Sequence, residues 1–211
     1  MFDRKWIFAA TVLPVVVLYF LLGDAAMFAP GNSSGQNAGR NGSESAPTGQ
    51  GGTYPLHGRV VEVTDGDTLR ISVGSASGDA QRVRLASIDA PERTTGSDRS
   101  GQPFADASRQ FLAGQVQGRT LMLACFEQDP YGRHICDVPD AERTGATVNQ
   151  ALVAAGLAWA NMEGKGRFLR DRTLLDLQSK AQSEKLGIWS KPDPVAPWVW
   201  RYQCWRKGQC Q

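Results

Sequence analysis

The sequence predicts a small α+β, mainly β domain: a five-stranded barrel carrying three helices. Three observations lead there. Short stretches of β-branched and apolar residues alternate with polar ones between turn signals. Three segments have helical spacing, one between the third and fourth strands and two after the fifth. Five short strands that must pair over long range close most simply into a barrel, and the OB-fold is the candidate.

The elements follow in order. His57–Val63 alternates, with Val60, Val61 and Val63 apolar, and stops at Asp65-Gly66. Thr68–Val73 resumes with Leu69, Ile71 and Val73 on one face. Gln81–Ile88 reads as the third strand, with Val83 and Leu85 on one side, Arg82 and Arg84 on the other, and Pro91 beyond its end. Pro103 suits a first helical position, and Phe104, Ala107, Ser108 and Phe111 follow at helical spacing. Thr120–Phe126 and His134–Val138 read as two strands around a Tyr131-Gly132 turn. Thr147-Val148-Asn149-Gln150 has the form of a capping box, in which side chains at the first and fourth positions satisfy each other's backbone N–H groups. A third helix is expected from Phe168 to Leu186, ended by Gly187.

The chain has 211 residues, of which 41% are hydrophobic, enough for one well-filled domain with tails. The formal net charge is only +2, and acidic and basic residues nearly balance across the folded stretch. Any grip on a polyanion must then be local, made by a few placed arginines and weakened by salt.

Four segments are expected. Residues 1–30 read as a signal anchor or signal peptide: Arg4 and Lys5 precede an uncharged apolar run, Trp6–Gly23, near the length a bilayer requires. Gly23-Asp24-Ala25-Ala26 is a poor cleavage site, which favours an uncleaved anchor with the N-terminus inside and the domain on the periplasmic side or beyond. Residues 31–55 form a Gly/Ser/Asn-rich linker with too little apolar surface to fold. The domain occupies 56–190, and 191–211 is a Trp- and Cys-containing tail.

The four cysteines, Cys125, Cys136, Cys204 and Cys210, are even in number in a chain read as exported, which favours disulfides. Cys125 and Cys136 flank a turn almost symmetrically and would face each other in a hairpin; Cys204 and Cys210 would close a small loop. Zinc is the weaker reading, since neither pair has close ligand spacing and His57 and His134 are not patterned around them.

Three stretches carry chemistry: Asp65-Gly66-Asp67-Thr68, Arg84–Glu92 and Asp129-Pro130-Tyr131-Gly132-Arg133. Asp67 and Asp89 stand at strand ends where they can converge, and two carboxylates with a main-chain carbonyl and water make an oxygen site for a hard cation. Glu92, stiffened by Pro91, suits a general base; Arg84 and Arg133 suit phosphate. Taken singly, Asp-Gly is also an ordinary turn and each arginine an ordinary surface ion pair.

Together these stretches resemble those of the staphylococcal nuclease family. Val148–Ala158 and Lys185-Leu186-Gly187-Ile188-Trp189 resemble later segments of the same family, in the same order, and the likeness covers about Leu56 to Ser190. The resemblance implies an OB-fold barrel with three helices and an endonuclease activity on DNA and/or RNA that depends on one Ca2+ ion and leaves 3′-phosphate ends. It implies Asp67, Asp89 and the backbone carbonyl of Ala90 as metal ligands, Glu92 as the base, and Arg84 and Arg133 as phosphate-binding catalytic groups. Asp65 would shape the turn. A monomer is expected. Pro130 stands where the family has a lysine, and Met162–Gly164 replaces tyrosines near the bound nucleotide, so the nucleotide-holding set is altered. The alternative is a catalytically weak barrel that binds nucleic acid or a protein at the cell envelope. Trp198, Trp200 and Trp205 in the tail are expected to pack onto the domain, and Arg201, Arg206 and Lys207 offer a second use of that tail against nucleic acid.

Overall fold

The structure is a computed structural model that describes residues 52–74, 80–140 and 145–210. The expected anchor, and all of the linker before residue 52, lie outside the described residues. Among the described residues no helix is long and apolar enough to cross a membrane.

Five strands close the barrel in the order β1 (Tyr54–Asp65), β2 (Thr68–Ser72), β3 (Gln81–Leu85), β6 (His134–Asp137), β5 (Thr120–Gln128). Closure depends on β1, whose twelve residues pair with β5 through Tyr54–Arg59 and with β2 from Arg59 to Asp65. Irregular register at Val60/Glu62 and Val63/Asp65 bends the strand between its two partners. The one parallel pair in the barrel is β3 with β6. Strand alternation puts Leu56, Val60, Val63, Leu69, Ile71, Val83, Leu85 and Leu123 inside, all buried.

Helix α1 (Ala105–Val116) buries Ala105, Ser108, Leu112 and Val116 at 3–4-residue spacing. Helix α2 (Val148–Ala154) opens with the expected capping box: Thr147 Oγ1 accepts from Gln150 N, and Gln150 Oε1 accepts from Thr147 N, both at 3.1 Å. Asn149 in its first turn is buried, accepts from Val138 N at 3.1 Å and donates to Ala86 O at 3.0 Å, which bolts α2 to the ends of β3 and β6.

The third strand does not run to Ile88 as expected. Ala86 N still donates to Cys136 O on β6, and the strand ends there because Ser87 takes a left-handed conformation (φ 65°). Two more residues, Ile88–Asp89 (β4), then pair with Trp159–Ala160 (β7) in a separate small sheet. The first helix begins at Ala105, two residues after Pro103, because Phe104 is also left-handed. A short turn, α3 (Glu163–Gly166), precedes α4 (Thr173–Ser183). α4 starts later than Phe168 because the approach is held elsewhere: Ser87 Oγ accepts from Arg170 N and Asp171 N, and Asp171 caps Thr173 N. Beyond a 3-10 turn at Gly187–Ser190, the tail forms α5 (Pro197–Trp200) and a wider π-type turn, Arg201–Arg206.

Both expected disulfides are present. Cys125–Cys136 joins directly paired residues of β5 and β6, and Cys204–Cys210 closes the tail.

Candidate active site

The site is built where the β1–β2 turn meets β3 and β4. Gly66 allows the approach: a Cβ there would stand 2.1 Å from Ser108 Oγ and 2.7 Å from Ala90 Cβ. Asp67 therefore sits against the segment that carries Asp89 and Ala90. Its Oδ2 accepts from Ala90 N at 2.7 Å, its Oδ1 accepts from Thr68 Oγ1 at 3.0 Å, and it is ion-paired with Arg84. Arg84 partners Thr68 across the β2–β3 ladder, and its Nη2 donates to Asp89 Oδ1 at 2.5 Å and to Ile88 O at 3.2 Å. Asp67 and Asp89 are 1% and 0% exposed, so one guanidinium holds two buried carboxylates together.

Glu92 is held at its backbone by Gln102, which accepts from Glu92 N at 3.0 Å through Oε1 and donates its own N–H to Glu92 O at 2.7 Å. Its carboxylate meets a group that the sequence placed only in the tail. Arg201 Nη1 donates to Glu92 Oε1 at 2.5 Å and to Asp89 Oδ1 at 3.2 Å, while Nη2 donates to Asp89 Oδ2 at 2.9 Å. Glu163 Oε2 lies 3.5 Å from the same Nη2. The one sequence signal for Arg201 is its place inside a tryptophan-rich segment that must pack somewhere.

Arg133 is not part of this ion-pair cluster. It directly precedes β6, whose first residue, His134, pairs in parallel with Val83, the residue between Arg82 and Arg84. Arg133 Nε donates to Asp129 Oδ2 at 2.7 Å, and Asp129 Oδ1 accepts from Tyr131 N and Arg133 N, each at 2.9 Å. The Asp129–Arg133 turn thus aims and partly neutralises its own arginine. Asp65, at the end of β1, accepts from Gly66 N through Oδ1 at 2.8 Å, the turn-shaping contact expected of it.

Burial and like charge set the electrostatics. Loss of water pushes Asp65 up to about 7, and the neighbouring Asp67 adds to it. Burial also raises Asp67 and Glu92; Arg84 opposes it at Asp67, and Arg201 opposes it at Glu92. Burial disfavours the charged forms of Arg84 and Arg201, yet their carboxylate partners outweigh it and hold both above the ordinary guanidinium range.

The donor chemistry is that of a hard cation. Among the described residues no group of three His, Cys, Asp or Glu side chains encloses a metal, and the two buried carboxylates, Asp67 and Asp89, are oxygen donors of the kind a hard cation takes. Thiolate ligands are excluded, because all four cysteines are in disulfides.

A family model described as staphylococcal nuclease homologue matches residues 82–191. An uncharacterized endonuclease of Escherichia coli O157:H7 is 39% identical over 150 residues, covering 70% of this chain and 86% of the relative. A micrococcal nuclease of Shigella flexneri is 34% identical over 153 residues, covering 69% and 80%. The chain belongs to the staphylococcal nuclease family. It is a nuclease, a phosphodiester hydrolase whose substrate is nucleic acid. An uncharacterized endonuclease of Haemophilus influenzae (strain ATCC 51907 / DSM 11121 / KW20 / Rd), 33% identical over 146 residues, extends the same likeness. In this staphylococcal nuclease homologue the family model stops at residue 191, so Arg201 enters the site from outside the matched segment.

Proposed function

We propose that the protein is a calcium-dependent endonuclease that hydrolyses DNA and/or RNA outside the cytoplasm as a monomer, held to the membrane by its N-terminal segment. The observation that carries the catalytic part is the buried Asp67–Arg84–Asp89 cluster with the Glu92 carboxylate one guanidinium away. Asp67, Asp89 and the carbonyl of Ala90 would hold one Ca2+. Bound there, the ion supplies charge neutralisation at the scissile phosphate.

The chain's own groups do the rest. Glu92, raised by burial, accepts a proton from the attacking water, and the resulting hydroxide oxygen bonds to phosphorus. The P–O5′ bond breaks, its electron pair stays on O5′, and a proton completes the 5′-hydroxyl, leaving a 3′-phosphate. Arg84 and Arg133 oppose the extra negative charge on the five-coordinate phosphorus. Arg133 must exchange Asp129 for phosphate to do so; Asp129 itself, held below the usual carboxylate range by the Arg133 backbone N–H and guanidinium against the effect of burial, stays ionised to aim it.

The two disulfides support an oxidising compartment, and with it an exported domain. The test is cleavage by the purified full-length protein of single- and double-stranded DNA and of RNA, with calcium and with chelator. Calcium-dependent products ending in 3′-phosphate are expected. Undiminished cleavage in chelator would remove calcium from the reading.

A further inference from the structure

Arg201 occupies both carboxylate oxygens of Asp89 and one of Glu92, and the structure around it is built to put it there. Trp200 is buried, and its Nε1 donates to Ser100 O at 2.9 Å; Trp205 Nε1 donates to the same oxygen at 2.9 Å. The Arg99 guanidinium lies 5.5 Å from the centre of the Trp205 ring. Cys204, buried, ties the following turn to Cys210. Gln102 joins the two sides, accepting from Glu92 N at 3.0 Å and donating to Val195 O at 2.7 Å. The tail is thus fixed on both sides of Arg201, and the guanidinium rests on the carboxylates by design of that packing.

Charge gives this contact a consequence. Arg84 alone leaves Asp67, Asp89 and Glu92 under-neutralised, and Arg201 adds a second positive charge among them. A divalent cation at Asp67 and Asp89 would bring two positive charges to the same place, and it needs an Asp89 oxygen that Arg201 now uses. Asp89 already carries Arg84 and Arg201, and a divalent cation brought beside Arg201 would repel it, each weakening the other's hold on the carboxylate. We infer that Arg201 is a built-in competitor of the divalent cation at Asp89, so that metal loading and full seating of the tail oppose each other. By linkage the opposition is reciprocal: what unseats the tail tightens cation binding, and the cation loosens the tail. The inference rests on the calcium reading above.

The experiment is calcium binding by titration calorimetry, with thermal midpoints in chelator and in saturating calcium, on the full-length protein and its Arg201→Gln variant. The variant is expected to bind calcium at least about 10-fold more tightly. It should also melt lower than the parent in chelator, where the carboxylates have lost their counter-charge, with the gap narrowing in calcium. A second variant, Cys204→Ser/Cys210→Ser, loosens the tail without touching the site and is expected to tighten calcium binding in the same direction. Equal or weaker affinity in the variants, or the same drop in midpoint with and without calcium, overturns the inference and leaves Arg201 a structural ion pair while the calcium reading stands. Absence of calcium binding in every protein overturns the calcium reading and this inference with it.

Discussion

Arg84 Nη2 donates to Asp89 Oδ1 across 2.5 Å, a bond between β3 and the two-residue strand that follows it. The left-handed Ser87 folds the chain back so that this contact is possible, and the same guanidinium then reaches Asp67 on the neighbouring hairpin turn. One side chain therefore serves both the assembly of the site and the charge in it.

Arg84→Gln should for that reason damage fold and catalysis together. It leaves two carboxylates buried with one fewer counter-charge, a loss of about 3–5 kcal/mol for a broken buried pair. Urea unfolding in chelator measures the loss, and DNA cleavage in saturating calcium should be abolished. A variant as stable as the parent would show that Arg201 alone suffices to hold the cluster.

Glu92→Gln separates the two roles. The amide oxygen still accepts from Arg201, and the backbone contacts with Gln102 are untouched, so the melting temperature should move little. Turnover should fall at least about 100-fold, because an amide takes no proton from water. Steady-state cleavage rates beside a melting curve decide it; parental turnover excludes Glu92 as the base.

The barrel was legible because alternation survives in most of the strand residues, with β1 interrupted by its two register shifts, and the capping box fixed the start of α2 to the residue. What misled was the continuity of hydrophobic pattern from Val83 through Ile88, which hides a turn made by Ser87 and stabilised by Arg170 and Asp171, distant partners no local pattern reveals. Pro103 misled in a similar way, since Phe104 beside it is left-handed. Asp67, Arg84, Asp89 and Glu92 were readable as a set because their stretches keep their order and spacing. Arg201 was not: its role depends on Trp200 and Trp205 finding one carbonyl, Ser100 O, about a hundred residues earlier.

Removal of calcium with a calcium-selective chelator should stop cleavage of DNA. Removal of zinc at matched free calcium should not, because the cysteines are committed to disulfides and leave no thiolate ligands. Cleavage that survives the first and fails in the second would move the chemistry to another metal.

The barrel disulfide should carry the stability expected of the short loop it closes. Cys125 and Cys136 are fully buried, directly paired and separated by 11 positions. The chain-entropy estimate for such a loop is about 3 kcal/mol. Cys125→Ala/Cys136→Ala should lower the urea midpoint accordingly, with calcium-dependent cleavage retained below the new midpoint. An unchanged midpoint would mean that β5 and β6 hold their register without the bond.

Asp137 should make the nuclease less stable as pH rises through the weakly acidic range. Burial lifts its carboxyl from the ordinary value to about 6, and the nearby Asp171 adds to the lift while Arg170 opposes it. Asn149 Nδ2 donates to its Oδ1 at 3.1 Å. From about pH 4 to about pH 6 the folded chain keeps a proton that the unfolded chain has released, so stability from this group is present at the acid end and is lost as pH rises through the folded value. Because the carboxyl is partly exposed, solvent screening reduces the effect to on the order of 1 kcal/mol at neutral pH. Asp137→Asn cannot ionise and keeps an oxygen for Asn149. Urea midpoints at pH 4.5 and pH 7 should show the variant gaining on the parent at the higher pH; parallel curves would mean that Asp137 ionises without cost in the fold.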